Sequence, residues 1–107
     1  WNAKNLTLIN CTIESLQGMC YIDNLVMKNC MLINTTLAFE YASVDAQITG
    51  SIDSVFNPAS GTIVADHIDE LIMEKDRVDP AKTVITCTNG IGRETHKFVT
   101  GGNIHEV

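Results

Sequence analysis

The chain has 107 residues, 45% hydrophobic, 19% charged and 6% aromatic, which is the composition of one globular domain and not of a disordered segment. Its formal net charge is −6 and its basic residues are scattered singly, so it lacks the clustered positive surface that nucleic acid or an anionic membrane requires. No apolar run approaches the ~20 residues of a spanning helix, and no leader pattern stands at the start.

The first element is a phrase that recurs. Asn5-Leu-Thr-Leu-Ile-Asn-Cys11 returns as Asn24-Leu-Val-Met-Lys-Asn-Cys30, 19 positions on (24 − 5 = 19). Leu6, Leu25, Val44 and Ile63 continue the series, and Leu8, Met27, Ala46 and Ala65 run beside it. Helical repeats need roughly 33 to 47 residues, too long for this period. Leu6 and Leu8, Leu25 and Met27, and Val44, Ala46 and Ile48 alternate with outward residues, which is strand periodicity. The expected architecture is therefore all-β: a right-handed parallel β-helix, with each repeat one coil and coils about 4.8 Å apart. Leu6, Leu25, Val44 and Ile63 are then expected to form one core stack.

Asn10 and Asn29 fall at the bend after the first strand, where asparagine tolerates a left-handed backbone and stacked amides form a ladder. Cys11 and Cys30 follow and are expected to point inwards. A second strand region is expected at residues 19–22 and 37–41, with Cys20 over Phe39 and Ile22 over Tyr41. Asn57 to Gly61 reads as a turn. Thr62 to Met73 reads as a fourth coil with Ile63, Ala65, Ile68, Leu71 and Ile72 in the core, and His67 at the bend matching Asn10 and Asn29. The charged stretch Glu74 to Lys82, with Asp79-Pro80, reads as a loop, and Thr83 to Thr88 as a last strand. The division is thus residues 1–88 as about four coils plus a strand, and 89–107 as an irregular Gly-containing tail with Phe98-Val99 its one possible strand.

Asn5-Leu-Thr-Leu-Ile-Asn-Cys-Thr12, its second copy, Leu37-Ala-Phe-Glu-Tyr-Ala-Ser-Val-Asp-Ala46, Gly50-Ser-Ile-Asp-Ser-Val-Phe-Asn-Pro58 and the text from Ala65-Asp66 to Asp79-Pro80 carry a resemblance. Over roughly residues 1 to 86 the chain resembles the C-terminal coils of an uncharacterised bacterial family with a right-handed, pectin-lyase-like parallel β-helix. The resemblance implies that fold, further coils upstream of Trp1, and a bacterial, intracellular source. It implies no activity, so no catalytic residue is carried over.

Solenoids of this type often cleave acidic polysaccharides, which needs carboxylates holding Ca²⁺ with a basic residue, or two carboxylates about 5 to 9.5 Å apart. The outward series Thr7, Val26, Asp45, Val64 and Ile9, Lys28, Gln47, Asp66 stack no two carboxylates. Asp45 near Asp66, with Lys28 below, is the nearest approach to a cluster, and a solvated face is its plainer reading. Glu40, flanked by Phe39 and Tyr41, is a further ligand-contact candidate because aromatic rings stack on sugars.

Cys11, Cys20, Cys30 and Cys87 form no C-x-x-C and have no histidine at ligand spacing. They read as reduced thiols in a reducing, cytoplasmic compartment, with no metal and no cofactor. The three Asn-x-Thr triplets, at Asn5, Asn10 and Asn34, arise from an Asn/Thr-rich repeat.

The reading is a solenoid scaffold or binding module for a carbohydrate or another protein, without catalytic residues of its own. The alternative is part of a polysaccharide-cleaving lyase or hydrolase whose site lies mainly on upstream coils. The exposed N-terminal coil, with an unpaired backbone edge, invites stacking on another copy or on upstream coils, and self-association through it is expected.

Overall fold

The computed structural model describes residues 3–15, 19–100 and 103–106; Trp1, where the sequence begins, and Gly101-Gly102 lie outside them. In chain order the strands are β1 (Ala3–Ile9), β2 (Thr12–Glu14), β3 (Ile22–Ile33), β4 (Ser43–Ile48), β5 (Ser51–Phe56), β6 (Ser60–Ala65), β7 (His67–Glu74), β8 (Thr83–Cys87), β9 (Ile91–Thr100) and β10 (Asn103–Glu106). One sheet runs β1-β3-β4-β6-β8, with β2 also on β3, and a second runs β10-β9-β7-β5. Every pairing is parallel except β9 with β10. The chain is a parallel β-solenoid, 44 × 30 × 23 Å along its principal axes.

The repeated phrase sets the first rungs. Leu6 pairs with Leu25 and Leu8 with Met27, and Leu25 then pairs with Val44 and Met27 with Ala46. Leu25, Met27 and Ala46 are fully buried, so like side chains do pile up along the axis.

The bend behaves as asparagine chemistry dictates. Asn10 and Asn29 have φ of 56° and 52°, and Asn29 Nδ2 donates to Asn10 Oδ1 at 2.8 Å. Thr49 Oγ1 extends the ladder by donating to Asn29 Oδ1 at 3.0 Å. A second ladder runs through the left-handed Asn5 and Asn24, with Asn24 Nδ2 donating to Asn5 Oδ1 at 2.9 Å.

The period is not constant, and this corrects the expected core stack. From β4 to β6 the register is Val44 with Gly61 and Ala46 with Ile63, a step of 17 (61 − 44). From β6 to β8 it is Gly61 with Thr83, a step of 22 (83 − 61). Ile63 therefore does not stand over Val44. It continues Leu8, Met27 and Ala46, and Ile85 follows it. Ala65 pairs onward with Cys87, outside the column it was expected to join. The short step is possible because Gly61, at φ 112°, lets its backbone approach the Val44 carbonyl where a Cβ would lie 1.7 Å from the oxygen.

Other differences follow from local register. Lys28 and Asn29 together face Gln47, since Met27 pairs with Ala46 and Cys30 with Ile48; this is a bulge with two residues against one. Asp66, not His67, occupies the bend, and its Oδ2 accepts from Gly50 N at 2.8 Å. His67 begins β7 opposite Ser51. Asp69 is exposed and Glu70 half-buried, so the alternation slips by one and Met73 is buried while Ile72 is only partly covered.

Residues 19–21 and 37–41 are turns with one bridge, Ala38 to Val55, and not strands. Within the stretch expected to be an irregular tail, two strands are described: β9 lies parallel to β7 on the fifth turn, with Glu70 opposite Arg93 and Glu74 opposite Lys97, and β10 folds back on it. A backbone ladder needs no apolar side chains, which is why composition did not show it.

None of the four cysteines is in a disulfide. Cys30 is fully buried and Cys11 half-buried, while burial pushes the Cys20 and Cys87 thiols above their ordinary pKa.

Candidate functional site: a tyrosine corner

The third corner of the solenoid carries a column of different chemistry. Tyr21 N donates to Glu40 O and Tyr41 N to Asn57 O, each at 2.8 Å, which seats Tyr21, Tyr41 and Asn57 on successive coils. All three are left-handed, with φ of 56°, 52° and 48°.

At Asn57 this conformation is natural, because a short amide tolerates it. The amide is fully buried; its Nδ2 donates to Glu74 Oε1 at 2.8 Å and its Oδ1 accepts from Glu74 N at 2.7 Å. At a bulky tyrosine the same conformation costs about 1–3 kcal/mol.

Met19 and Phe39 share that backbone strain, but both side chains are fully buried and gain core contacts. Tyr21 is 50% exposed. Its visible compensation is the ring of Tyr41, with centroids 5.7 Å apart and planes at 38°, worth about 0.5–1.5 kcal/mol. Tyr41 is half-buried and packs against the core, which offsets its strain, so Tyr21 is the ring that stays exposed at a strained bend.

The surroundings fix the pair. Arg77 Nη1 donates to the Tyr41 hydroxyl at 3.4 Å while its Nε lies 3.6 Å from Glu74 Oε1, so Asn57, Glu74, Arg77 and Tyr41 form one connected chain. The Glu40 carboxylate raises the pKa of the Tyr21 phenol above its ordinary value, first by repelling the phenolate, with burial and a hydrogen bond to Glu40 adding. Asp23 Oδ1 accepts from Ser43 Oγ at 3.1 Å, and that oxygen accepts from Asn24 N at 2.7 Å.

Two surface depressions meet at this corner. One of about 370 Å³ is lined by Tyr21, Ile22, Asp23, Tyr41, Ser43 and Ala59. The other, about 320 Å³, is lined by Ala3, Lys4, Tyr21 and Asp23. Tyr21 and Asp23 belong to both, so the two adjoin along the solenoid axis as a shallow, divided groove, each part at the lower end of ligand-pocket size.

Of the candidates read from the sequence, Glu40 belongs to this corner. The other three are not gathered. Asp45 is exposed on β4 between Val26 and Thr62; Asp66 is tied to the Gly50 amide at the bend; Lys28 is exposed opposite Ile9. Among the described residues the ion pairs are His67–Asp69, Arg77–Glu74 and Arg93–Glu70, so none joins those three. Also among the described residues, no three His, Cys, Asp or Glu side chains converge on one point as metal ligands would.

Sequence reading missed Tyr21. A constant 19-residue step sets Ile22 against Tyr41, whereas the corner step is 20 (41 − 21). Two tyrosines 20 apart, beside phrases 19 apart, were the available signal.

Among the described residues no helix is long and apolar enough to cross a membrane. No curated protein and no solved structure is similar enough to the chain to count as a relative. The stacked coils that carry this corner fall inside residues 1–86, which match a single family profile, and the chain accordingly belongs to the family described as "Protein of unknown function (DUF3737)".

Proposed function

We propose that the chain is a glycan-binding module that lays a sugar chain along the Tyr21–Tyr41 groove. The observation that carries this is a contacting tyrosine pair at left-handed bends, with Tyr21 half exposed, lining a depression of about 370 Å³. Tyrosine offers an apolar face to a pyranose and a hydroxyl to its polar rim. Asp23, Ser43 and Glu40 add hydrogen-bonding groups around it. Coils about 4.8 Å apart bring like groups to a polymer at regular intervals. The parallel stack and its asparagine ladders also support kinship with pectin-lyase-like solenoids.

The test is titration calorimetry of the chain against neutral, amino-sugar and uronic oligosaccharides. Binding of at least one is expected, and Tyr21→Ala is expected to weaken it about tenfold or more while circular dichroism stays unchanged, because Tyr21 is half exposed. No binding to any of them, or a Tyr21→Ala variant that binds as the parent does, would refute the reading.

A second proposal concerns the first coil. Among the described residues β1 is paired on one edge only, to β3, and Leu6, Leu8 and Ile13 are partly uncovered. We propose that two copies of this chain associate through that end. Light scattering should show a dimer whose population rises with concentration and falls on Leu8→Lys; a monomer at every concentration counts against it.

A further inference from the structure

We infer that the tyrosine groove selects an amine-bearing, cationic sugar over neutral and uronic ones; the inference rests on the glycan reading above.

Charges of both signs stand near the rings, with Lys4 opposite Asp23 across the β1–β3 ladder, but they are unevenly placed. Asp23 lines both depressions, and Glu40 stands close enough to Tyr21 to act on its phenol. Among the described residues neither carboxylate is in an ion pair. The nearby guanidinium of Arg77 is drawn off, with Nε toward Glu74 and Nη1 on the Tyr41 hydroxyl. Lys4 lines the depression on the far side of Tyr21, and not the one that Tyr41 and Ser43 share. The larger depression therefore has one charged lining residue, Asp23; Glu40 lines neither depression but adjoins Tyr41 in sequence, and its backbone carbonyl accepts from Tyr21 N. A uronate would be repelled there, and the net charge of −6 adds to that at long range.

The ring geometry narrows the occupant further. A cation is attracted to the face of a tyrosine ring. With centroids 5.7 Å apart the two rings are in direct contact, leaving no space for a cage around a quaternary ammonium. What remains uncovered is chiefly Tyr21, 50% exposed, against which one face of a sugar ring can pack. A hexosamine supplies both parts: a pyranose face for Tyr21 and Tyr41, and an ammonium for Asp23 and Glu40, which is a charge-assisted hydrogen bond.

The experiment titrates the chain with four tetrasaccharides: glucosamine, N-acetylglucosamine, cellotetraose and galacturonate. Glucosamine tetramer is expected to bind about tenfold more tightly than its acetylated form, with the advantage shrinking as salt is raised. Exposed carboxylates act modestly, so Asp23→Asn and Glu40→Gln are each expected to cost about threefold on the glucosamine oligomer alone. Asp45→Asn, on the outer face of β4, is expected to change nothing. Equal binding of cellotetraose, tighter binding of galacturonate, or Asp23→Asn and Glu40→Gln variants that keep the full preference would overturn the amino-sugar assignment and leave the glycan reading standing. If none of the four binds, both fall.

Discussion

Gly61→Ala is expected to destabilise the chain by about 3 kcal/mol or more. The added Cβ would lie 1.7 Å from the Val44 carbonyl oxygen and 2.8 Å from its carbon. Both are backbone atoms of a central rung, so no side-chain rotation relieves the clash. Either β6 moves off β4 or the Val44–Gly61 pairing breaks, and in a solenoid each coil is supported through its neighbours. Gly50→Ala is the control. Gly50 also has a positive φ, 86°, yet nothing lies within 4 Å of its added Cβ. Only backbone strain remains there, about 1–2 kcal/mol. Thermal melts of the two variants should separate clearly. Equal melting temperatures would mean that the 17-residue step does not depend on a close backbone approach.

Phe39→Ala is expected to cost about 3–5 kcal/mol. Phe39 is fully buried and heads the ranking of buried side chains by volume. Among the described residues the rest of the core is aliphatic side chains, methionines and cysteines, so truncating its one buried aromatic ring removes a large share of the local packing. Alanine would also retain the left-handed backbone at φ 67° without the burial that offsets it. Phe39→Leu should recover most of the loss, leaving about 1–2 kcal/mol. Urea denaturation midpoints measure both. Because Glu40 and Tyr41 follow directly in the same turn, the alanine variant should also disturb the tyrosine near-ultraviolet signal. A Phe39→Ala chain with the parent's midpoint would show that this corner adds nothing to the core.

The parts of the fold visible in the sequence are those where side chains report backbone geometry. Asn10 and Asn29 announced their bend because asparagine is suited to the left-handed region, and the bond between them is present. Leu6 over Leu25 and Leu8 over Met27 were visible because two copies of one phrase fix a register. Past Ala46 there is no third copy. The 17-residue step is set by a short turn and by Gly61, neither of which leaves a hydrophobic trace. The slip that exchanges Ile72 for Met73 in the core comes from Asp69 and Glu70 both lying off the core face. β9 was hidden because its backbone ladder to β7 recruits a polar segment. The tyrosine corner was hidden for another reason: tyrosine is not a residue that signals a left-handed bend, and Glu40 alone pointed toward it.

The unequal steps have a consequence for how such a scaffold can vary. The distance between coils is fixed by backbone hydrogen bonding, while the number of residues in a circuit is free. The step from Gly61 to Thr83 takes 22 residues where the preceding one takes 17, and the wider circuit contains the stretch from Lys75 to Lys82, with its turn at Arg77. That protrusion carries the guanidinium that steadies Tyr41. Girth can thus be adjusted at a single circuit, at a turn that bonds Tyr41 from beside the groove, while the vertical spacing between coils stays the same.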